Sequence, residues 1–165
     1  RLYLLSTYLD TLRTTLFRQT LFADFELAFH EMAERGETLT GANLSAAYLA
    51  MVRDYYGSAQ GVCRVDDVIA YEWAYVPHFY YDFYVYQYAT SLVASTSIAR
   101  AILDGERKGS TAARDAYLQM LRSGGSSYPI DLLRAAGVDM TTPKPVEQTF
   151  GILAQMVDRL EKLAG

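Results

Sequence analysis

The sequence predicts an all-α fold. Apolar residues recur at helical spacing through most of its 165 residues, no run shows sustained strand alternation, and glycines, prolines and capping residues punctuate the periodic stretches. Six or seven helices are expected, with no internal repeat and no low-complexity tract.

Leu5, Leu9, Leu12, Leu16, Thr20, Ala23, Leu27 and Met32 stand at helical intervals with charges between them, which predicts one long helix over residues 2–34, closed near Gly36. A helix of that length without a starting cap suggests a larger body. The chain also begins at Arg1 with no initiator methionine, so a fragment is expected, with a cloning or processing artefact as the plain alternative. Thr40 is the expected N-cap of a helix reaching Tyr56, with Gly57 as its left-handed stop and a loop over residues 58–64. Asp66 and Asp67 suit the positive end of a helix over DDVIAYEWAY, which Pro77 ends or kinks. From residue 79 to 103 the pattern is apolar on nearly every side, as in a helix enclosed by others, and this is the expected central helix. Gly105 and Gly109 bracket a charged turn, residues 111–122 form a helix, SGGSSYP is a glycine-rich loop, and Gly137 stops a short helix over residues 129–136. Thr142 is the expected cap of the last helix, with Pro143 at its first position and an end near residue 164.

A chain of this length can bury a core without disulfides or metals. Its 51% hydrophobic and 21% charged content argues against disorder. The net charge of −4 is dispersed and Lys and Arg form no patch, so nucleic acid is not an expected partner. The single cysteine, Cys63, excludes an internal disulfide and suits a reducing cytoplasm. No apolar run approaches the roughly 18 residues of a membrane span, and Asp10, Arg13, Arg18 and Asp24 interrupt the N-terminal region as no signal peptide would allow, so no membrane partner is expected.

A zincin helix needs two histidines one turn apart with a glutamate between them. Only His30 and His78 are present, and HEMAE at His30 carries Glu34 where the second histidine should stand. His30 is therefore expected to be a partly exposed surface residue. Cys63 has no histidine near it in sequence, so no nucleophilic triad is assembled. SGGS at residues 123–126, with Gly124 and Gly125, offers backbone amides to an anion but lacks the lysine and spacing of a phosphate loop; alone it reads as a flexible turn.

HFYYDFYVYQYA, residues 78–89, is different in kind, with five tyrosines and two phenylalanines in one short run. On a helix, Tyr81, Tyr84 and Tyr88 fall at i, i+3 and i+7 on one stripe, with His78 one turn before Tyr81. Aromatic residues at helical spacing are usually core. Phenylalanine would serve a core at lower polar cost, because a buried hydroxyl without a partner costs roughly 1–3 kcal/mol. The residues leave both readings open, an aromatic core and a hydrogen-bonding surface facing a polar ligand.

FRQTLFADFE (17–26), YYG (55–57), EWAYVPHFYYDFYVYQYAT (72–90) and LRSGGSSYPIDLLRAAGVDM (121–140) closely resemble, in order and spacing, the C-terminal part of the oligoendopeptidase F family of zinc metallopeptidases. The resemblance covers nearly the whole chain. It implies a mostly helical enzyme, similar to thimet oligopeptidase, whose deep channel admits short peptides and excludes folded proteins. It implies zinc held by an H-E-x-x-H helix and a glutamate on a following helix, both upstream, so that zinc is a cofactor of the full-length protein with no ligand in this chain. It further implies a histidine and tyrosines on the substrate backbone. His78, Tyr81 and Tyr88 match these best, with Tyr84 and Tyr86 as weaker matches, because thimet-type members carry extra glycines after the histidine. One hydroxyl, of Tyr88 or Tyr81, would donate to the carbonyl oxygen as it becomes an oxyanion. Gly124 and Gly125 match a family loop near the substrate channel.

The chain is thus read as one helical fragment, residues 1–165, the C-terminal substrate-binding part of a cytoplasmic zinc metalloendopeptidase that hydrolyses short peptides. By itself it is expected to be inactive, and to self-associate through a face that the missing part normally covers. Two rivals differ in what they expect. A stand-alone helical peptide-binding module grips peptide unaided, whereas an interaction bundle with an aromatic core sequesters its tyrosines.

Overall fold

The computed structural model describes residues 2–164, and among these every regular element is helical. In chain order they are α1 (Leu2–Leu12), a π-helical turn (Arg13–Phe17), α2 (Arg18–Glu34), α3 (Gly41–Tyr55), 3₁₀ segments at Asp67–Tyr75 and Pro77–Tyr80, α4 (Tyr86–Arg107), α5 (Ala112–Ser123), α6 (Pro129–Ala135) and α7 (Lys144–Ala164). The chain divides into two compact units, Thr14–Ala89 and a second formed by Arg1–Arg13 with Thr90–Gly165.

The long N-terminal helix is continuous in extent, but its buried face slips. The expected apolar series runs Leu12, Leu16, Thr20, whereas the buried positions are Leu12, Leu16, Leu21 and Phe25, and Thr20 and Leu27 are exposed. The π turn at Arg13–Phe17 is the cause. A π turn closes over one more residue than an α turn, so every position after it rotates by one.

In the unit Thr14–Ala89, α2 and α3 pack together and the segment Asp67–Tyr75 lies on α3. Phe25, 1% exposed, is ringed by Phe29, Tyr48, Trp73 and Phe79 at centroid distances of 5.4, 5.0, 6.4 and 5.4 Å. α3 starts as its cap predicts, with Thr40 Oγ1 accepting from the Asn43 amide at 3.1 Å, and stops at Gly57, whose φ of +61° suits glycine. DDVIAYEWAY coils more tightly than expected, as a 3₁₀ helix over Asp67–Tyr75. Its three-residue period aligns Ala70, Trp73 and Val76 on one face toward the core. Trp73 Nε1 donates to Ser45 Oγ at 3.0 Å, tying that face to α3.

In the second unit α1 packs on α7 and α5 on α6, and Ala94 and Ile98 of α4 meet Ala136 and Val138. α4 runs through Gly105, where a turn was expected. The carbonyl of Gly105 accepts from the Lys108 and Ser110 amides at 2.9 Å each, and a Cβ on Gly105 would come within 3.0 Å of the Ser110 carbonyl oxygen. The glycine thus serves a close return of the chain just past the helix. Pro129 opens α6 and Gly137, φ +90°, follows its end as expected. Thr142 does not cap α7. Its Oγ1 donates to the Asp139 carbonyl at 2.9 Å, and the helix starts at Lys144, with Pro143 providing an early carbonyl acceptor for Glu147. No helix of the described residues is long and apolar enough to cross a membrane.

Replacing Phe25 by alanine is expected to cost roughly 3–5 kcal/mol, the usual range for deleting a buried aromatic ring. Urea unfolding followed by the fluorescence of Trp73, the single tryptophan, measures it. A loss below about 1 kcal/mol would show that the ring cluster is not the core.

Candidate functional site

The aromatic run does not form the expected helix over residues 79–103. Pro77–Tyr80 is one 3₁₀ turn, residues 81–85 are not helical, and α4 begins only at Tyr86. Val76, Val85 and Ala89 are buried and Phe79 packs edge-on against Phe22 at 5.8 Å, so these apolar residues face the core, whereas Phe83 is 39% exposed. Asp82 and Phe83 have φ values of 51° and 55°. Two consecutive left-handed residues with side chains cost on the order of 1–2 kcal/mol each, and such a pair persists only where its surroundings hold it.

The hold comes from α2. Glu26 is 1% exposed, and its Oε1 accepts from the Phe83 amide at 2.9 Å. One helical turn later the His30 imidazole lies 4.5 Å from the Phe83 ring and 4.7 Å from Phe29, centroid to centroid. His30 is partly exposed as expected, but it is packed between two phenylalanines.

This reversal gathers the residues that the helical stripe was expected to align. The Tyr81, Tyr84 and Tyr88 rings stand 5.9, 5.8 and 5.6 Å from the His78 imidazole, Tyr84 stacked and the other two edge-on. Tyr84 also meets Tyr81 at 5.9 Å and Tyr88 at 5.6 Å. The Tyr88 hydroxyl lies 3.2 Å from His78 Nε2, and the tautomer of the imidazole decides which of the two donates. The hydrogen bond with Tyr84 first, and then desolvation, hold the Tyr88 phenol above its ordinary pKa. Tyr81, Tyr84 and Tyr88 are 58%, 40% and 36% exposed, so the reading of these tyrosines as sequestered core is overturned. Phe79 and Val85 supply the core contacts, and the hydroxyls stay outside.

Tyr86, half exposed, opens α4 two residues before Tyr88. That spacing is about 200° around an α-helix, so Tyr86 leaves on the opposite side from Tyr88. Gly124 and Gly125 belong to the other unit, where they end α5. The Gly124 amide donates to Leu121 at 3.3 Å and the Ser126 amide to Ser123 at 3.1 Å, so two amides of the expected anion cradle close the turn instead.

A second feature escaped the sequence. A cavity of about 300 Å³ opens between α2, α3 and the 3₁₀ segment, lined in part by Arg18, Tyr48, Tyr56, Cys63, Ile69 and Glu72. Glu72 accepts from the Arg18 guanidinium, which lies 4.8 Å over the Phe22 ring, and from the Tyr48 hydroxyl at 2.5 Å. Burial first, and then the bond to Glu72, push the Tyr48 phenol far above its usual range. None of the lining residues comes from the aromatic run. The only early sign of Glu72 was a carboxylate set among apolar residues in DDVIAYEWAY. Among the described residues no three His, Cys, Asp or Glu side chains are grouped to hold a metal.

Residues 1–152 match the model of Peptidase family M3. The chain belongs to this family. Its similarity to M3 relatives extends over nearly its whole length: 42% identity over 163 residues to Oligopeptidase PepF of Bacillus subtilis and 40% to an Oligoendopeptidase F homolog of Lactococcus lactis, 99% of this chain in each case. Those alignments take in 23% and 26% of the two relatives, so the chain spans about a quarter of their length. The crystal structure of oligoendopeptidase-F from Enterococcus faecium superposes with a TM-score of 0.90 at 38% identity, over 99% of this chain and 30% of that one. A putative peptidase from Chlamydophila abortus superposes at 0.84 and 40% identity, over 96% of this chain and 26% of that one. Both the all-α architecture and the resemblance read from the aromatic and glycine-rich motifs are thereby shown.

The raised phenol pKa of Tyr88 has a measurable sign. With ring-labelled tyrosine, its ¹³Cζ resonance is expected to titrate above the ordinary value of about 10, and Tyr84→Phe to bring the midpoint down. An unchanged midpoint in that variant would remove Tyr84 as the cause.

Proposed function

We propose that this chain forms the substrate-binding wall of a zinc metalloendopeptidase that hydrolyses short peptides. The observation that carries the reading is the His78 cluster, an imidazole with three tyrosine rings around it and a phenolic hydroxyl 3.2 Å from Nε2, outside the core. Membership of a peptidase family supports it, and favours it over a stand-alone binding module.

An extended peptide presents one carbonyl and one amide per residue, and a wall of fixed phenols and an imidazole offers both donors and acceptors to them. In this reading Tyr88 is the donor to the scissile carbonyl oxygen. A phenol held above its usual pKa keeps its proton throughout the neutral range, so it donates whenever negative charge grows on that oxygen. Its hydroxyl already faces His78, so turning to the substrate exchanges one hydrogen bond for another. His78 then takes the substrate backbone from the other side, and Tyr81 and Tyr84 flank it.

The described residues do not fit a zinc site. His30 is packed between Phe29 and Phe83, His78 stands among tyrosines, and no third ligand joins either. Zinc and the general base accordingly belong to other residues of the protein, and the chain alone is expected to be inactive. Apolar side chains such as Val62 and Val68, 79% and 74% exposed, are surfaces through which the isolated chain would self-associate.

In the protein that carries this chain, Tyr88→Phe is expected to lower kcat toward an internally quenched short peptide by about 10²–10³ with zinc content unchanged, the usual consequence of losing one oxyanion donor. His78→Ala should raise KM as well. Full turnover in Tyr88→Phe would refute the role given to Tyr88 and move the test to Tyr81→Phe.

A further inference from the structure

We infer that Glu26 is a positioning residue for the His78 site, acting with His30 through Phe83 to hold the chain reversal that delivers Tyr84 and Tyr88 to the imidazole. The inference rests on the reading of that cluster as the substrate-facing wall.

Carboxylates are almost never fully buried without a specific partner, and Glu26 is 1% exposed. The partner named by the geometry is a backbone amide, that of Phe83, at 2.9 Å. This amide belongs to the second of two left-handed residues, which no L-residue with a side chain adopts by preference. His30, one turn further along the same face of α2, packs at a tilt against the ring of the same residue. Phe83 is therefore held twice from one helix, at its backbone by a hydrogen bond and at its side chain by ring contact. Two residues later Val85 is fully buried, so the reversal is pinned at both ends. Between these two pins lies Tyr84, whose carbonyl accepts from the Gln87 amide at 3.2 Å as α4 begins. If residues 82 and 83 relax to ordinary extended or right-handed angles, Tyr84 and the first turn of α4 are re-aimed, and the hydroxyl of Tyr88 leaves Nε2. Glu26 touches none of these groups itself. It acts through the chain between them.

Glu26→Met tests this, because methionine fills a similar volume without a strong acceptor. Expected are a shifted Tyr88 ¹³Cζ resonance and a fall in kcat toward an internally quenched short peptide of roughly ten- to a hundredfold, the scale of a misplaced catalytic group. Glu26→Gln keeps an acceptor oxygen at the same reach and should stay within a few fold of the parent. Asp82→Gly placed on Glu26→Met should recover much of the loss, since glycine takes a positive φ unaided. A purely structural Glu26 would not be rescued in that way, so equal impairment in the single and double variants would overturn the proposal. An unmoved Tyr88 resonance in Glu26→Met would do the same. In the unaltered protein the Phe83 amide should exchange with deuterium more slowly than the Asp82 and Tyr84 amides, and free exchange there would also overturn it. The resonance and the exchange rate do not depend on activity, so they separate a failure of this inference from a failure of the peptidase reading.

Discussion

A single hydrogen bond, from the Phe83 amide to the buried Glu26 side chain, is what we infer to lay out the most aromatic part of this chain. Without it, residues 78–89 have every local reason to continue as a helix, because their spacing satisfies helical periodicity. With it, two residues turn left-handed, α4 is delayed to Tyr86, and the tyrosines close around His78. An acceptor oxygen held at 2.9 Å from the Phe83 amide satisfies a donor that the strained pair would otherwise leave without a partner.

The second constraint is the division of labour between phenylalanine and tyrosine. Phe22, Phe25, Phe29 and Phe79 form a continuous edge-to-face cluster with Tyr48 and Trp73, and the tyrosines of the aromatic run stay half exposed. Tyr48 is the exception that follows the rule, since it is buried only because Glu72 accepts its hydroxyl. A hydroxyl goes inside where a partner waits for it.

These two constraints gather donors and acceptors at His78, Tyr81, Tyr84 and Tyr88 beside an aromatic core. In the function proposed above, such a cluster would stabilise charge on a reacting carbonyl. Among the described residues no three His, Cys, Asp or Glu side chains are grouped to hold a metal, and the chain belongs to Peptidase family M3.

The sequence by itself determined the helical class, the cap at Thr40, the stops at Gly57 and Gly137, and the resemblance carried by the aromatic and glycine-rich motifs, because capping and periodicity are local properties of the chain. It also singled out His78, Tyr81, Tyr84 and Tyr88, though for the wrong geometric reason, a stripe on a helix that does not form there. Tertiary structure decided the rest. The 3₁₀ segment that places Trp73 and Glu72 and the reversal at Asp82 and Phe83 meet partners distant in sequence: Ser45 for Trp73, Arg18 and Tyr48 for Glu72, and Glu26 for Phe83. A buried carboxylate looks in sequence like any glutamate on an amphipathic helix. Only the packing of α2 against a segment 57 residues away makes it a clamp.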